Sequence, residues 1–268
     1  MAQVVPAHGV QRARILVAGA TAVPQRFYQP FAAFAAERGY TTLTLDYRGV
    51  GLSRPPSLRG FEMRYLDWSF RDLPAAIEAF ARPGVPLFYV GHSHGGHAFG
   101  LLPNPERVAR VYTFGTGAGW VGWMPPAERL RVRALWHLVG PLLVRTHGYL
   151  AWKRLGLGED LPRGVFEDWK RWCRHPRYFF DDPTLRDEAI RLYDRIRTPI
   201  VAANALDDLW ALPASRDAFM SGYRHAPVRT VDIDPRARGI GSIGHMGYFH
   251  RRARPLWEDV LAWFGEAL

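Results

Sequence analysis

Cysteine is nearly absent from this chain. Cys173 stands alone in 268 residues, so no disulfide can form within it, and a reducing compartment is the expectation. Long apolar runs are missing as well. Residues 135–144 are too few to cross a bilayer and contain Gly140 and Pro141, so no integral membrane association is expected. The start, Met1-Ala-Gln-Val-Val-Pro6, lacks a basic region followed by an apolar core. No secretory signal is therefore read there, and the expected location is cytoplasmic. The net charge of +10 is carried by many arginines, but these are scattered. With no dense basic run and no nucleic-acid motif, no nucleic-acid partner is expected. No internal repeat or low-complexity tract is visible.

What is present suits a packed globular chain. Hydrophobic residues make up 48%, enough for a sizeable core, and the length fits one large domain or a domain with an inserted lid. β-Branched and apolar runs at residues 14–18, 40–45, 85–90, 108–114, 198–203 and 228–233 read as strands. Between them, helical spacing of apolar residues predicts helices over 27–38, 65–81, 97–102, 215–223 and 255–268. Strands alternating with helices predict an α/β fold with a mostly parallel sheet covered on both faces. The alternation breaks between residues 117 and 197, after the fourth recognisable strand. That stretch shows helical pieces at 126–138, 165–173 and 184–195, no clear strand, and six tryptophans. It reads as a helical lid, with residues 1–116 and 198–268 forming the core. Most of its tryptophans are expected to hold the lid together as a small core, and one or two to face a substrate.

The most telling stretch is Gly91-His92-Ser93-His94-Gly95-Gly96, set between the strand at 85–90 and a following helix. Strand, Gly-x-Ser-x-Gly turn and helix make a nucleophile elbow. The turn is tight enough to strain the serine backbone, and small residues at positions 91 and 95 let strand and helix approach. A serine hydroxyl needs a base, and the base needs a carboxylate to fix its tautomer. In an elbow sheet these follow in the order serine, acid, histidine. Asp207 and Asp208 follow the next-to-last strand, and His245 lies in the loop after the last one. All three positions fall at C-terminal strand ends, where an open α/β sheet forms its crevice. Adjacent side chains at a strand end point to opposite sides, so only one aspartate can face His245. Asp208 is preferred from its spacing, with Asp207 the alternative acid. Asp46 is a rival carboxylate that precedes the elbow. The expected oxyanion donors are the His94 amide and the Ala20 amide of the 19–21 loop.

On Gly91-His-Ser-His-Gly95, Asp46-Tyr-Arg-Gly-Val-Gly-Leu-Ser53, the Asp207-Asp208 position and Gly244-His-Met-Gly-Tyr-Phe249, the chain resembles the α/β-hydrolase superfamily over nearly its full length apart from the lid. It is most similar to a bacterial subgroup related to serine aminopeptidase-type and lysophospholipase-like members. The resemblance implies a Ser93, Asp208, His245 triad and names no substrate. Triad chemistry predicts cleavage of an ester, thioester or amide, the aromatic lid points to a small, partly apolar acyl group, and no cofactor or metal is expected. Two departures stand out. Ala18-Gly19 occupies the place of a frequent His-Gly pair. Only residues 4–10 could supply part of the antiparallel hairpin that usually precedes the first parallel strand.

Two rival readings follow from the residues. His92, His94 and His97 match much of a His-x-His-x-Asp-His zinc motif, but its aspartate position is Gly96 and no later ligand set is apparent. A non-catalytic ligand-binding or interaction protein could also use this fold.

Overall fold

The computed structural model describes residues 1–268. Seven strands build one sheet: β1 (Ala2–Val5), β2 (Ala13–Ala18), β3 (Tyr40–Leu45), β4 (Leu87–His92), β5 (Arg110–Phe114), β6 (Ile200–Ala205) and β7 (Val228–Ile233). Their order is β1-β3-β2-β4-β5-β6-β7. Only β1 runs antiparallel, paired with β3 from Ala2↔Leu45 to Val5↔Thr42. β3, β4 and β6 are buried at every position, as parallel strands covered on both faces should be. The edge strands β1 and β7 are largely exposed.

Side chains alternate between two apolar layers with the two-residue period of a strand. Leu16, Ala18, Leu87 and Tyr89 face one layer, and Ile15, Val17, Phe88 and Val90 face the other. Helices α1 (Gln29–Ala36) and α9 (Arg254–Gly265) cover the second layer through Phe31, Phe34, Trp257 and Phe264. The first layer is covered by α2 (Leu73–Phe80), α3 (His94–Phe99) and α8 (Pro213–Met220). Four more helices stand between β5 and β6: α4 (Pro126–Ala134), α5 (Gly140–His147), α6 (Arg163–Trp172) and α7 (Arg186–Tyr193).

The structure differs from the sequence reading in three places. β1 takes residues 2–5 and supplies a single antiparallel edge strand; it is short and exposed, so it carries no apolar alternation. The tryptophans of the inserted helices do not form a core of their own. Trp136, Trp152 and Trp172 belong to the same buried layer as Leu16 and Tyr89 of the sheet. Finally, the helix expected over 126–138 runs on to His147. A π-turn at Leu135–Val139 joins α4 to α5, and another at Trp68–Asp72 leads into α2. Each precedes a proline at the second position of the next helix, Pro141 and Pro74. A proline ring collides with the carbonyl four residues back, and a turn one residue wider relieves that clash.

Candidate active site

The parallel registers bring the strand ends together, with Ala18 beside Gly91 and His92 beside Phe114. Ser93 follows β4 directly. Its backbone holds φ 51° and ψ −110°, a conformation a side-chain-bearing residue rarely adopts. The turn closes only because of its glycines. A Cβ on Gly95 would stand 2.0 Å from the Ala18 carbonyl oxygen, and one on Gly91 would stand 2.7 Å from the Gly96 nitrogen. The strain presents the Ser93 hydroxyl at the end of the sheet. His94 opens α3, where its N–H has no helical carbonyl to donate to.

His245 Nε2 lies 3.0 Å from Ser93 Oγ. On its other side, His245 Nδ1 lies 2.9 Å from both carboxylate oxygens of Asp208. Asp208 is fully buried and well supplied with donors. The Trp210 and Ala211 amides donate to Oδ1 at 3.1 Å, and the Tyr248 hydroxyl donates to Oδ2 at 2.8 Å. Burial acts to lower the His245 pKa, but the Asp208 charge and hydrogen bond outweigh it, and the pKa is raised above its ordinary 6.5. The adjacent Asp207 turns the other way. It accepts from the Ile243 and Gly244 amides at 2.9 and 3.1 Å and from the Ser242 hydroxyl at 2.7 Å, which fixes the loop that carries His245. Asp46 bonds to neither Ser93 nor His245; it accepts the Gln25 and Leu52 amides, tying β3 to its neighbouring loops.

The 19–21 loop departs from expectation. The Ala20 N–H donates to the Tyr28 hydroxyl at 2.7 Å, so it is not free to meet an oxyanion. The Thr21 N–H has no partner within the protein. Tyr28 belongs to a chain of bonds whose direction can be worked out. His92 Nε2 lies 2.9 Å from the His245 carbonyl oxygen, which can only accept, so Nε2 carries the proton. Burial, with the neighbouring His245 charge, drives the His92 pKa down to about 3, so the imidazole is neutral and Nδ1 is bare. The Tyr28 hydroxyl, 3.0 Å away, therefore donates to Nδ1 while its oxygen accepts from Ala20. Ala20, Tyr28, His92 and the backbone of His245 form one directed relay beneath the site. Sequence reasoning missed Tyr28 and Tyr248 as site residues; both sit among aromatic residues that read as core.

The other histidines of the zinc-like motif point elsewhere. His94 stacks on Tyr65 at 4.4 Å between ring centroids, edge-on to Tyr47 and Trp68. His97 donates from Nε2 to the Gly117 carbonyl at 2.9 Å. The three imidazoles do not converge, and no cluster of three or more His, Cys, Asp or Glu is placed to hold a metal ion.

A cavity of about 910 Å³ opens over Ser93 and His245. Val132, Leu135, Val139, Trp152 and Trp169 of the segment between β5 and β6 line it, together with Leu209, Trp210 and Met246. The lining is largely apolar and aromatic, with Ser93 and His245 among its polar groups and Arg26, Glu128 and Arg131 also present, the composition of a small-molecule site.

Comparison with curated protein sequences gave no match. Among solved structures, the fold is similar to a soluble variant of monoglyceride lipase from Saccharomyces cerevisiae, with 14% identity, 99% of this chain and 90% of that chain covered, and a TM-score of 0.67. It is also similar to the enol-lactonase from Burkholderia xenovorans LB400 (16% identity, 99% and 96% covered, TM-score 0.62) and to an esterase from Exiguobacterium antarcticum (14%, 98% and 94%, 0.63). At these identities the likeness concerns the fold. The model of the serine aminopeptidase S33 family matches residues 10–147, more than half of the chain and the whole of the elbow. With that match and this sheet, the chain belongs to the serine aminopeptidase S33 family and is an α/β-hydrolase enzyme.

Proposed function

We propose that the protein hydrolyses an ester or thioester, or an amide, of a partly apolar acyl substrate through a Ser93–His245–Asp208 triad. The observation that carries this reading is the unbroken contact from Ser93 Oγ to His245 Nε2 and from Nδ1 to a buried carboxylate. Ser93 attacks the carbonyl carbon while His245 takes its proton. Asp208 holds the imidazole in the tautomer that leaves Nε2 free and stabilises the cation as it forms. The tetrahedral oxyanion lies against the His94 amide and, in place of Ala20, the unpartnered Thr21 amide. His245 returns the proton to the leaving group. It then activates water, which releases the acid and restores Ser93. The helices between residues 117 and 197 act as a lid whose aromatic wall takes the apolar part of the substrate.

The test is labelling with a fluorophosphonate, followed by mapping of the modified peptide. A single adduct on Ser93, lost in His245→Ala, is the expected result. A folded protein that takes no label would refute the mechanism and favour a ligand-binding role for the cavity.

A further inference from the structure

A stripe of exposed leucines runs beside the cavity with no protein partner. Leu130, Leu138 and Leu142 are 71%, 67% and 57% exposed. With Ala134 they recur every fourth residue along α4, the π-turn and α5, which keeps them on one face. The neighbouring stripe, Arg131, Leu135 and Val139, lines the cavity. Leu155 and Leu157 also line it while 45% and 56% exposed, which puts them at its mouth. An apolar surface of this kind is costly in water and marks a contact site.

Charge indicates what it meets. Residues 126–157 hold five arginines and one lysine against a single acid, Glu128. Arg131 pairs with Glu128, and Lys153 lies near Glu159, but Arg133, Arg145 and Arg154 are exposed without an acidic partner. Leucines flanked by unpaired arginines on a helix that lies along the surface are the ingredients of interfacial binding, in which apolar side chains enter the acyl boundary and cations meet the headgroups. A partner protein surface would have to match leucines and unpaired cations along two joined helices; a fluid anionic lipid surface meets both without such a fit.

We infer that the α4–α5 face and the 155–157 loop dock on an anionic lipid surface, so that the cavity mouth opens toward acyl chains in the lipid. Delivery of an acyl substrate rests on the hydrolase reading above; docking does not depend on it. The experiment is co-sedimentation of the full chain with vesicles of phosphatidylcholine alone or mixed with phosphatidylglycerol, at low and high salt. Binding to the mixed vesicles, weakened by salt, is expected. The triple variant Leu130→Ser, Leu138→Ser, Leu142→Ser changes only exposed side chains and should weaken that binding by about tenfold. The same variant should hydrolyse a short soluble ester at the wild-type rate and a vesicle-embedded long-chain ester more slowly. Equal binding to both vesicle types, or wild-type binding by the leucine variant, would overturn the inference. A concentration-dependent dimer abolished by the leucine substitutions, without vesicle binding, would overturn it by assigning the face to a second copy. If the wild-type protein cleaves neither ester, the hydrolase reading fails, while sedimentation still decides the docking.

Discussion

At the scale of single residues, the two neighbouring aspartates should separate by the kind of damage their loss causes. Asp208 holds the imidazole tautomer and charge, so Asp208→Asn should lower kcat by about 10⁴-fold with the fold intact. Asp207 holds amides of the His245 loop and touches no reacting group. Asp207→Ala should lower kcat much less, by about tenfold to a hundredfold, because it costs position and not chemistry. Steady-state kinetics on both variants, with circular dichroism to confirm folding, checks this; equal losses would contradict the assignment. The pH profile gives a second check. Catalysis needs neutral His245, whose pKa is raised, so kcat/KM should climb as pH rises through a value above 6.5. Residual activity of Asp208→Asn should show that limb shifted to lower pH, since the charge that raised it is gone. The placement of Ser93, Asp208 and His245 was legible because each follows a strand whose apolar run is plain in the sequence. The hydrogen bonding of the 19–21 loop was not. Which amide in a small-residue loop is free depends on Tyr28, whose hydroxyl comes to Ala20 from the start of α1.

At the scale of elements, the six parallel strands and most helices were legible from apolar periodicity, and each miss has its own physical cause. β1 is stabilised by its pairing with β3 and not by burial of its own side chains, so its sequence carries little pattern. The π-turns before Pro74 and Pro141 depend on a geometric compensation that residue type alone signals as a break. The loop elements at the site are tied by the Ala20–Tyr28–His92–His245 relay, and this tie is testable. Tyr28→Phe keeps the ring and removes the hydroxyl, leaving a buried His92 nitrogen and the Ala20 amide without partners. A buried polar group left unpaired costs about 1–3 kcal/mol, which should appear as a lower melting temperature. Because the relay ends on the His245 backbone and begins in the loop proposed to hold the oxyanion, kcat should fall more than KM changes. A variant that melts earlier but keeps the wild-type kcat would show the relay to be structural only.

At the scale of the whole molecule, three imidazoles close together in sequence set the acid limit of the fold. Burial holds His92 at about 3 and His97 at about 4, and it drives His94 well below 6.5. Each is neutral in the folded chain and has its ordinary pKa once unfolded. Their stability contribution is therefore fully present above pH 6.5 and is lost as pH falls toward the folded values, because the unfolded chain takes up protons the native state refuses. Each histidine costs about 1.4 kcal/mol per pH unit in that window, so the three together remove about 4 kcal/mol per unit. His245 has the opposite sign: its raised pKa contributes stability that is complete below 6.5 and lost as pH rises through the folded value. Below 6.5 its contribution is constant and does not offset the slope. Domains typically hold about 5–15 kcal/mol in total, so one at the low end of that range should unfold near pH 5, above the range in which most carboxylates titrate. Urea denaturation from pH 8 to pH 5 checks this directly. Stability should be nearly flat above 7 and fall steeply below 6, with a slope of about three protons. A flat curve down to pH 5 would mean that these imidazoles take up protons in the folded protein, and the tautomer deduced for His92, with the relay built on it, would have to be abandoned.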